Sequence, residues 1–275
     1  MNPTEKLNQV SLSAALSDLP LGGVHYFPEV DSTNSAAAEL SGRGAADLAV
    51  VVAEEQTAGR GRQGRSWITR PGTALAVSVL LKPPSVDSGS ESLFTPGRYS
   101  GLGALAAVEA VRDLYRFPAQ IKWPNDILMD GLKVGGVLVE ASWEGDILSE
   151  IILGIGLNAR EGALPEDAAL RYPAGTIAEA VDQEINRLDL LRSLLEHLLL
   201  WRSRLSSGAF QHAWERALAF RGQQVILTGA NQSEVEGVLI GLAADGSLKL
   251  QTGPRQIEEF PVGEIRLRPV DRSLK

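Results

Sequence analysis

The sequence predicts an α+β chain in two parts: a larger unit of mixed strands and helices through residue 220 and a small all-β unit over 221–275. Two features of patterning predict this. Before residue 220, short apolar or alternating runs are interspersed with longer stretches of helical period. After Phe220 the texture changes to five short β-like runs, broken by Gly229, Asp245–Gly246 and Gly253–Pro254, and so many short strands in about fifty residues suggest a small barrel. Composition agrees: 275 residues, 44% hydrophobic and 22% charged, suit one large domain or one plus a small one, with apolar material for a real core.

Residues 1–22 read as a polar lead-in with a weak helical pattern, Leu12, Leu16 and Leu19. Residues 24–28 form a strand candidate. Asp31, Ser32 and Thr33 precede the alanine-rich run 35–40, and short oxygen side chains ahead of good helix formers predict an N-cap. Gly42 and Gly44 end that helix. The near-continuous apolar run 48–53 predicts a buried strand, and 54–72 a long loop. Residues 73–81 alternate and are β-like, and 86–91 are polar and loop-like. Apolar residues at 102, 105, 106, 108 and 111 predict a helix over 96–115. Strands follow at 120–123 and 127–129, a turn at Asp130–Gly131, and strands at 134–141 and 146–155. Leu191, Leu194, Leu195, Leu198 and Leu205 recur at helical steps and predict a helix over 189–205, packed by those leucines; a shorter one follows near 210–219. The last strands fall at 224–227, 234–242, 247–250, 256–260 and 265–267, with Asp245–Gly246 a hairpin turn.

Several function classes are disfavoured at once. The formal net charge of −8 argues against general nucleic-acid binding. The absence of cysteine removes disulfides, thiolate metal sites and a cysteine nucleophile. His25, His197 and His212 are far apart, with no zinc-like spacing. The N-terminal residues lack the basic start and apolar run of a signal peptide or membrane span, so a cytoplasmic protein without membrane association is expected.

Residues 56–67 carry the chemical argument. Gly59, Gly61 and Gly64 satisfy the G-x-G-x-x-G spacing of a dinucleotide-binding turn and follow a predicted strand. A dehydrogenase of that type is nonetheless disfavoured. No helical period follows Gly64, no acidic residue stands about twenty positions on, and three arginines, Arg60, Arg62 and Arg65, interleave the glycines. Glycine lets backbone approach a ligand closely, and the planar guanidinium can grip a phosphate with two donors, so the loop suits closure over an anion. Two more segments stand out: Lys122, Trp123, Pro124, Asn125 and Asp126, and the stretch Lys133, Val134, Gly135, Gly136. Adjacent glycines inside a strand mark close approach of a ligand or another backbone.

In that order and spacing, Ser32-Thr33-Asn34, the loop 56–67, the segment 122–126, Lys133 to Gly136, and Gly154-Ile155-Gly156-Leu157-Asn158 resemble the motifs of biotin–protein ligases, over roughly residues 24–160. The resemblance implies a catalytic domain similar to the class II aminoacyl-tRNA synthetase core, with a mixed sheet, followed by an SH3-like barrel. It implies biotin and ATP as substrates, Mg²⁺ as cofactor, and a biotin carboxyl carrier domain of a biotin-dependent carboxylase as partner. By resemblance, Ser32, Thr33, Asn34 and Gln56 hold the ureido end of biotin. Arg60, Gly61 and Arg62 close over biotin and the adenylate, with Gly135 and Gly136 beside them. Arg65 supports the loop or the phosphates, and Trp67 packs by the adenine. Lys133 contacts the biotin carboxylate and the α-phosphate. Lys122, Asn125 and Asn158 belong to the nucleotide, and Asp126 to magnesium or the acceptor lysine; Lys133, Arg62 and Asp126 make up the catalytic set. Gln63 replaces a basic residue of some relatives, with no loss of function expected. Only about 22 residues precede the core, too few for the winged helix-turn-helix of repressor forms, so no DNA binding is expected. The family includes monomers and dimers, so a homodimer is open. The competing readings are a lipoate–protein ligase of the same fold and a non-catalytic sensor of biotin or its adenylate.

Overall fold

The computed structural model describes residues 7–83, 94–164, 172–229, 233–262 and 266–269. Its larger unit is built on a seven-stranded sheet of β1 (Gly23–Val30), β2 (Ala49–Gln56), β3 (Ala74–Leu81), β4 (Ala119–Lys122), β5 (Asp126–Met129), β6 (Leu132–Glu144) and β7 (Ile147–Asn158), in the order β1-β2-β3-β7-β6-β5-β4. β1 runs parallel to β2 and every other neighbouring pair is antiparallel, which makes this the expected mixed sheet.

Six helices accompany it among the described residues: α1 (Gln9–Ala15), α2 (Thr33–Gly42), α3 (Pro96–Tyr115), α4 (Ile177–Val181), α5 (Arg187–Arg202) and α6 (Gly208–Ala217). α3 starts where Thr95 accepts from the Arg98 N–H with Pro96 in the first turn, and ends at Arg116 in the left-handed region, φ 53°. Small residues let it lie close on the sheet: a methyl on Gly103 would come 3.0 Å from Leu153 and 3.1 Å from Val137. α2 covers the opposite face, packing Ala36 and Ala37 on Val51, Leu80 and Ile152. With both faces covered, all eight residues of β3 are buried. The alternation read over 73–81 therefore does not separate a wet face from a dry one; both sides of that strand lie inside.

The smaller unit is a five-stranded antiparallel sheet of SH3-like size, β8 (Gln224–Thr228), β9 (Glu234–Leu242), β10 (Leu248–Gly253), β11 (Gln256–Phe260) and β12 (Arg266–Pro269), ordered β11-β10-β9-β8-β12. Among the described residues no ladder joins β11 to β12. The expected Asp-Gly turn links β9 to β10, with Gly246 at φ +92°. That turn docks on the larger unit: Trp123 Nε1 donates to Gly246 O at 3.0 Å, Thr95 Oγ1 to Asp245 O at 2.8 Å, and the buried Arg98 to Ala244 O and Leu205 O.

Two differences from expectation are physical. The loop expected from 54 begins later, because β2 stays paired with β1 through Gln56. α4 is five residues long and rests on a Thr176–Glu179 capping box, too short to show a period. The loop expected over 86–91 lies outside the described residues, as does residue 265 of the last expected strand.

Candidate active site

A cavity of about 490 Å³ opens on the α2 side of the large sheet. It is lined by Ser32, Thr33, Asn34, Gln56, Arg60, Gly61, Arg62, Arg65, Trp67, Lys122, Asn125, Asp126, Lys133, Gly136 and Asn158, so fifteen residues singled out in the sequence converge on one place. Gly135 does not line it. A methyl there would meet Leu157 at 2.5 Å and Gly156 O at 2.9 Å, so this glycine serves the close approach of β6 to β7; only Gly136 faces the cavity.

One end is polar but uncharged. Ser32 is the N-cap of α2 by position, yet its side chain makes no capping bond, contrary to the simple reading of those oxygens. The side chains are used inward. Thr33 N and Oγ1 both donate to Gln56 Oε1, at 2.8 and 3.1 Å, while Gln56 Nε2 donates to Thr69 Oγ1 at 2.9 Å. Ser78 Oγ lies 2.6 Å from Asn34 Oδ1 and 2.8 Å from Thr33 Oγ1, and Asn34 Nδ2 donates to Glu140 Oε2 at 2.9 Å. The network fixes which end of each amide faces which partner. Gly154 makes room for it, since a methyl there would stand 2.3 Å from Asn34 Oδ1.

The other end is cationic. Although the chain carries −8, the described lining holds six cations, Arg60, Arg62, Arg65, Lys122, Lys133 and Arg268, against one carboxylate, Asp126. Lys133 Nζ lies 2.5 Å from Asp126 Oδ1 and Lys122 Nζ 3.5 Å from Asp126 Oδ2. Burial lowers the Lys122 pKa, the Asp126 charge opposes that, and Lys133 and Arg268 push it further down. The Lys122 ammonium also lies 4.1 Å from the centre of the Tyr172 ring. Arg62 donates to Asn125 Oδ1 at 3.2 Å; burial lowers its pKa against the charge of Asp126.

The glycine–arginine loop is an antiparallel excursion, not a dinucleotide turn. Gln56 bridges to Thr69 and Arg60 to Ser66, and between them only a three-residue 3₁₀ turn, Arg62–Gly64, takes helical shape. Gln63 and Gly64 are both left-handed, at φ 60° and 68°. Gly59 is required sterically: a methyl would lie 2.3 Å from Trp67 O. The Trp67 indole rests over Gly156, where a methyl would come within 2.4 Å of the ring, and its buried Nε1 has no hydrogen-bond partner in the structure.

The fit to magnesium is poor on the protein side. Both Asp126 oxygens face ammonium groups, and among the described residues no group of three His, Cys, Asp or Glu could hold a metal. Asp126, a lone carboxylate held between two lysines, would meet magnesium only together with the phosphates of a bound nucleotide. Sequence reasoning missed Ser78, Glu140, Tyr172, Leu267 and Arg268. Ser78 had a signal, a hydroxyl in a continuous apolar run; Arg268 had none, since it arrives from β12 of the smaller unit.

The chain matches the family described as "Biotin/lipoate A/B protein ligase family" over residues 26–158 and "Biotin protein ligase C terminal domain" over 220–268. Among curated relatives, the biotin–[acetyl-CoA-carboxylase] ligase of Paracoccus denitrificans is 33% identical over 249 residues, covering 86% of this chain and 96% of that protein. The bifunctional ligase/repressor BirA of Bacillus subtilis is 29% identical over 234 residues, covering 82% of this chain and 69% of that protein. The solved biotin protein ligase of Aquifex aeolicus in complex with biotin and ATP superposes with a TM-score of 0.74 at 27% identity, covering 90% of this chain and 99% of that one. On its fold, its cavity and these likenesses, the chain belongs to the biotin–protein ligase family.

Proposed function

We propose that this cavity activates biotin with ATP and passes it to a lysine of a biotin carboxyl carrier protein. The observation that carries the reading is the polarity of one continuous cavity: a neutral hydrogen-bonding end beside the apolar side chains of Ala76 and Leu138, leading to a cationic end. Biotin has that polarity, a ureido ring joined by an apolar chain to a carboxylate, and ATP adds the phosphates that the cations suit.

On this reading, Ser32, Thr33, Asn34 and Gln56 hold the ureido ring, and Gly136 lets the chain pass. The carboxylate attacks the α-phosphorus, its O–P bond forming as the bond to pyrophosphate breaks. Lys133 and Arg62 face the charge that develops there. Arg60, Gly61 and Arg65 close over the product, biotinyl-5′-AMP, and exclude water. Trp67 supplies an aromatic face for adenine, and Lys122, Asn125 and Asn158 surround the nucleotide. The carrier lysine then attacks the mixed anhydride carbonyl, giving an amide and AMP. Asp126 stands where it could accept the proton that amine must lose. Magnesium, which screens phosphate charge, would be carried by ATP and water more than by this chain.

The finer points belong to the same proposal. The two units divide at 220/221. The net charge of −8 supports a ligase that leaves DNA alone. Cytoplasmic action is part of the same proposal; among the described residues no helix is long and apolar enough to cross a membrane. Whether it acts as a monomer or a homodimer is a matter for sedimentation.

The test is pyrophosphate release from Mg-ATP with biotin or with lipoate, for wild type and Lys133→Ala. Release with biotin, lost by about a hundredfold or more in the variant as expected for a group stabilising developing charge, is the predicted result. Release with lipoate alone would move the chain to the lipoate branch. Release with neither would make it a sensor.

A further inference from the structure

Glu140 lies outside the cavity lining, yet it is the point at which three elements meet. It projects from β6. Its Oε2 accepts from Asn34 Nδ2 at 2.9 Å, at the start of α2. Both of its oxygens accept from Arg60 Nη2, at 2.9 and 3.1 Å, and Arg60 Nη1 donates to Ser35 Oγ at 2.9 Å. The glycine–arginine loop is otherwise lightly tied. Its tip, 63–66, is exposed. The loop's first residues are held beside β1, Thr57 N donating to Val30 O at 2.9 Å and Ala58 N to Asp31 O at 2.8 Å, but from Gly59 to Trp67 the backbone bonds are Gly61 N to Arg65 O, Arg65 N to Arg62 O and Trp67 N to Gly59 O, all local to the loop. The Arg60 fork thus fastens the loop to β6 and α2, at partners distinct from the Asn125 that Arg62 reaches.

We infer that Glu140 is a positioning residue which, through Arg60, latches the glycine–arginine loop shut and sets how long the activated acyl-adenylate stays in the cavity. This rests on the proposed ligase reading. The carboxylate does two separable things: it orients the Asn34 amide on the biotin side and it holds the guanidinium on the loop side. A carboxylate accepts with both oxygens and carries the charge that attracts the guanidinium; an amide keeps one acceptor oxygen and loses the charge. With Gln at 140, an amide oxygen in the place of Oε2 would still accept from Asn34, but an amide N–H₂ would face the Arg60 guanidinium, donor against donor. Glu140→Gln therefore weakens the latch, removing the charge and the Oε1 bond and leaving at most the 3.1 Å contact at the Oε2 position, while sparing the biotin-side bond.

The pair is partly solvated, with side-chain exposures of 44% for Arg60 and 38% for Glu140, so its effect is modest. Glu140→Gln is expected to speed loss of biotinyl-AMP from the enzyme by roughly two- to fivefold, the scale of one partly exposed charged contact, while the KM for biotin stays within about twofold. The measurement is a chase: enzyme is loaded with labelled biotin and Mg-ATP, pyrophosphatase is added, and retained adenylate is followed by rapid filtration for wild type, E140Q, R60A and E140Q/R60A. Because Glu140 acts through Arg60, E140Q should add nothing once Arg60 is Ala. Additive effects of the two substitutions, or unchanged retention in E140Q, would overturn the latch. A higher biotin KM with unchanged retention would overturn it too, leaving Glu140 as a biotin-side support. If wild type forms no adenylate at all, it is the ligase reading that fails, and the two failures are told apart before any variant is made.

Discussion

At residue scale the informative positions are those where one atom more would not fit. A methyl at Gly156 would enter the Trp67 indole at 2.4 Å, so Gly156→Ala must push the ring off the sheet. Overpacking of this kind costs about 1–3 kcal/mol. Because the displaced ring is the proposed adenine wall, the expected outcome is a KM for ATP raised roughly tenfold with the KM for biotin nearly unchanged, read from initial rates of pyrophosphate release. Equal rises in both would mean that Trp67 is only packing. This scale was the most legible in sequence. Glycines alternating with arginines, and polar triplets ahead of a helix, are dense local signals, and the positions they marked face one cavity. What the sequence did not carry is partnership at a distance. Glu140 and Asn34 are 106 positions apart, and nothing near either announces the other. The two glycines 135 and 136 look alike in sequence; only strand pairing decides that one faces β7 and the other the cavity.

At the scale of elements, the face of the sheet away from the cavity is closed by α3 and α5, and a charged clamp joins them. His197 of α5 has Nδ1 3.2 Å from Glu109 Oε2 and Nε2 3.0 Å from Asp113 Oδ2, both on α3. The bond to Glu109 raises the His197 pKa above its ordinary 6.5, against the opposing effect of burial, with Asp113 adding to the rise. Burial works to raise Glu109, but the bonds from His197 and Trp201 outweigh it and its pKa falls. The sign follows for the histidine. Its folded pKa exceeds its unfolded value, so its contribution is fully present below about pH 6.5 and fades as pH rises through the folded pKa. His197→Gln should therefore flatten the fall in melting temperature between pH 6 and pH 9, measured by scanning calorimetry; an undiminished fall would place its origin elsewhere. The loop on the other face gives a second prediction. Its tip, 63–66, should exchange amide protons rapidly in the free protein and slowly with biotin and Mg-ATP bound, as seen by mass spectrometry. Strong protection without ligand would contradict a closing loop. The helices were legible because α3 and α5 each bury a long apolar stripe. α4 was not, because a single turn has no period, and the wet or dry sides of β3 were not, because both are dry.

For the molecule as a whole, the change of texture after Phe220 marks a change of architecture without marking a gap in the packing. Ala219 N donates to Ile121 O at 2.8 Å, so the chain entering the small sheet is tied to the edge of the large one. The β9–β10 turn is gripped by Trp123, Thr95 and Arg98, and Leu267 and Arg268 reach the cavity. Trp123 is two residues before Asn125 and three before Asp126, so the contact that docks the small unit also supports the nucleotide segment. Gly246 is the critical point. It adopts φ +92°, and a methyl there would meet the Trp214 ring at 2.7 Å. Gly246→Ala combines backbone strain with a clash against a fully buried indole, at a cost of about 2–4 kcal/mol. Were the two units independent, only a transition belonging to the small sheet would move, and adenylate formation below that transition would be untouched. The docking predicts a different result: one unfolding transition, shifted as a whole, and a raised KM for ATP at temperatures where the variant is still folded. Calorimetry and pyrophosphate release on the same sample distinguish the two. A separate early transition with normal kinetics would show that the small sheet is an appendage, and that Arg268 lines the cavity without serving it.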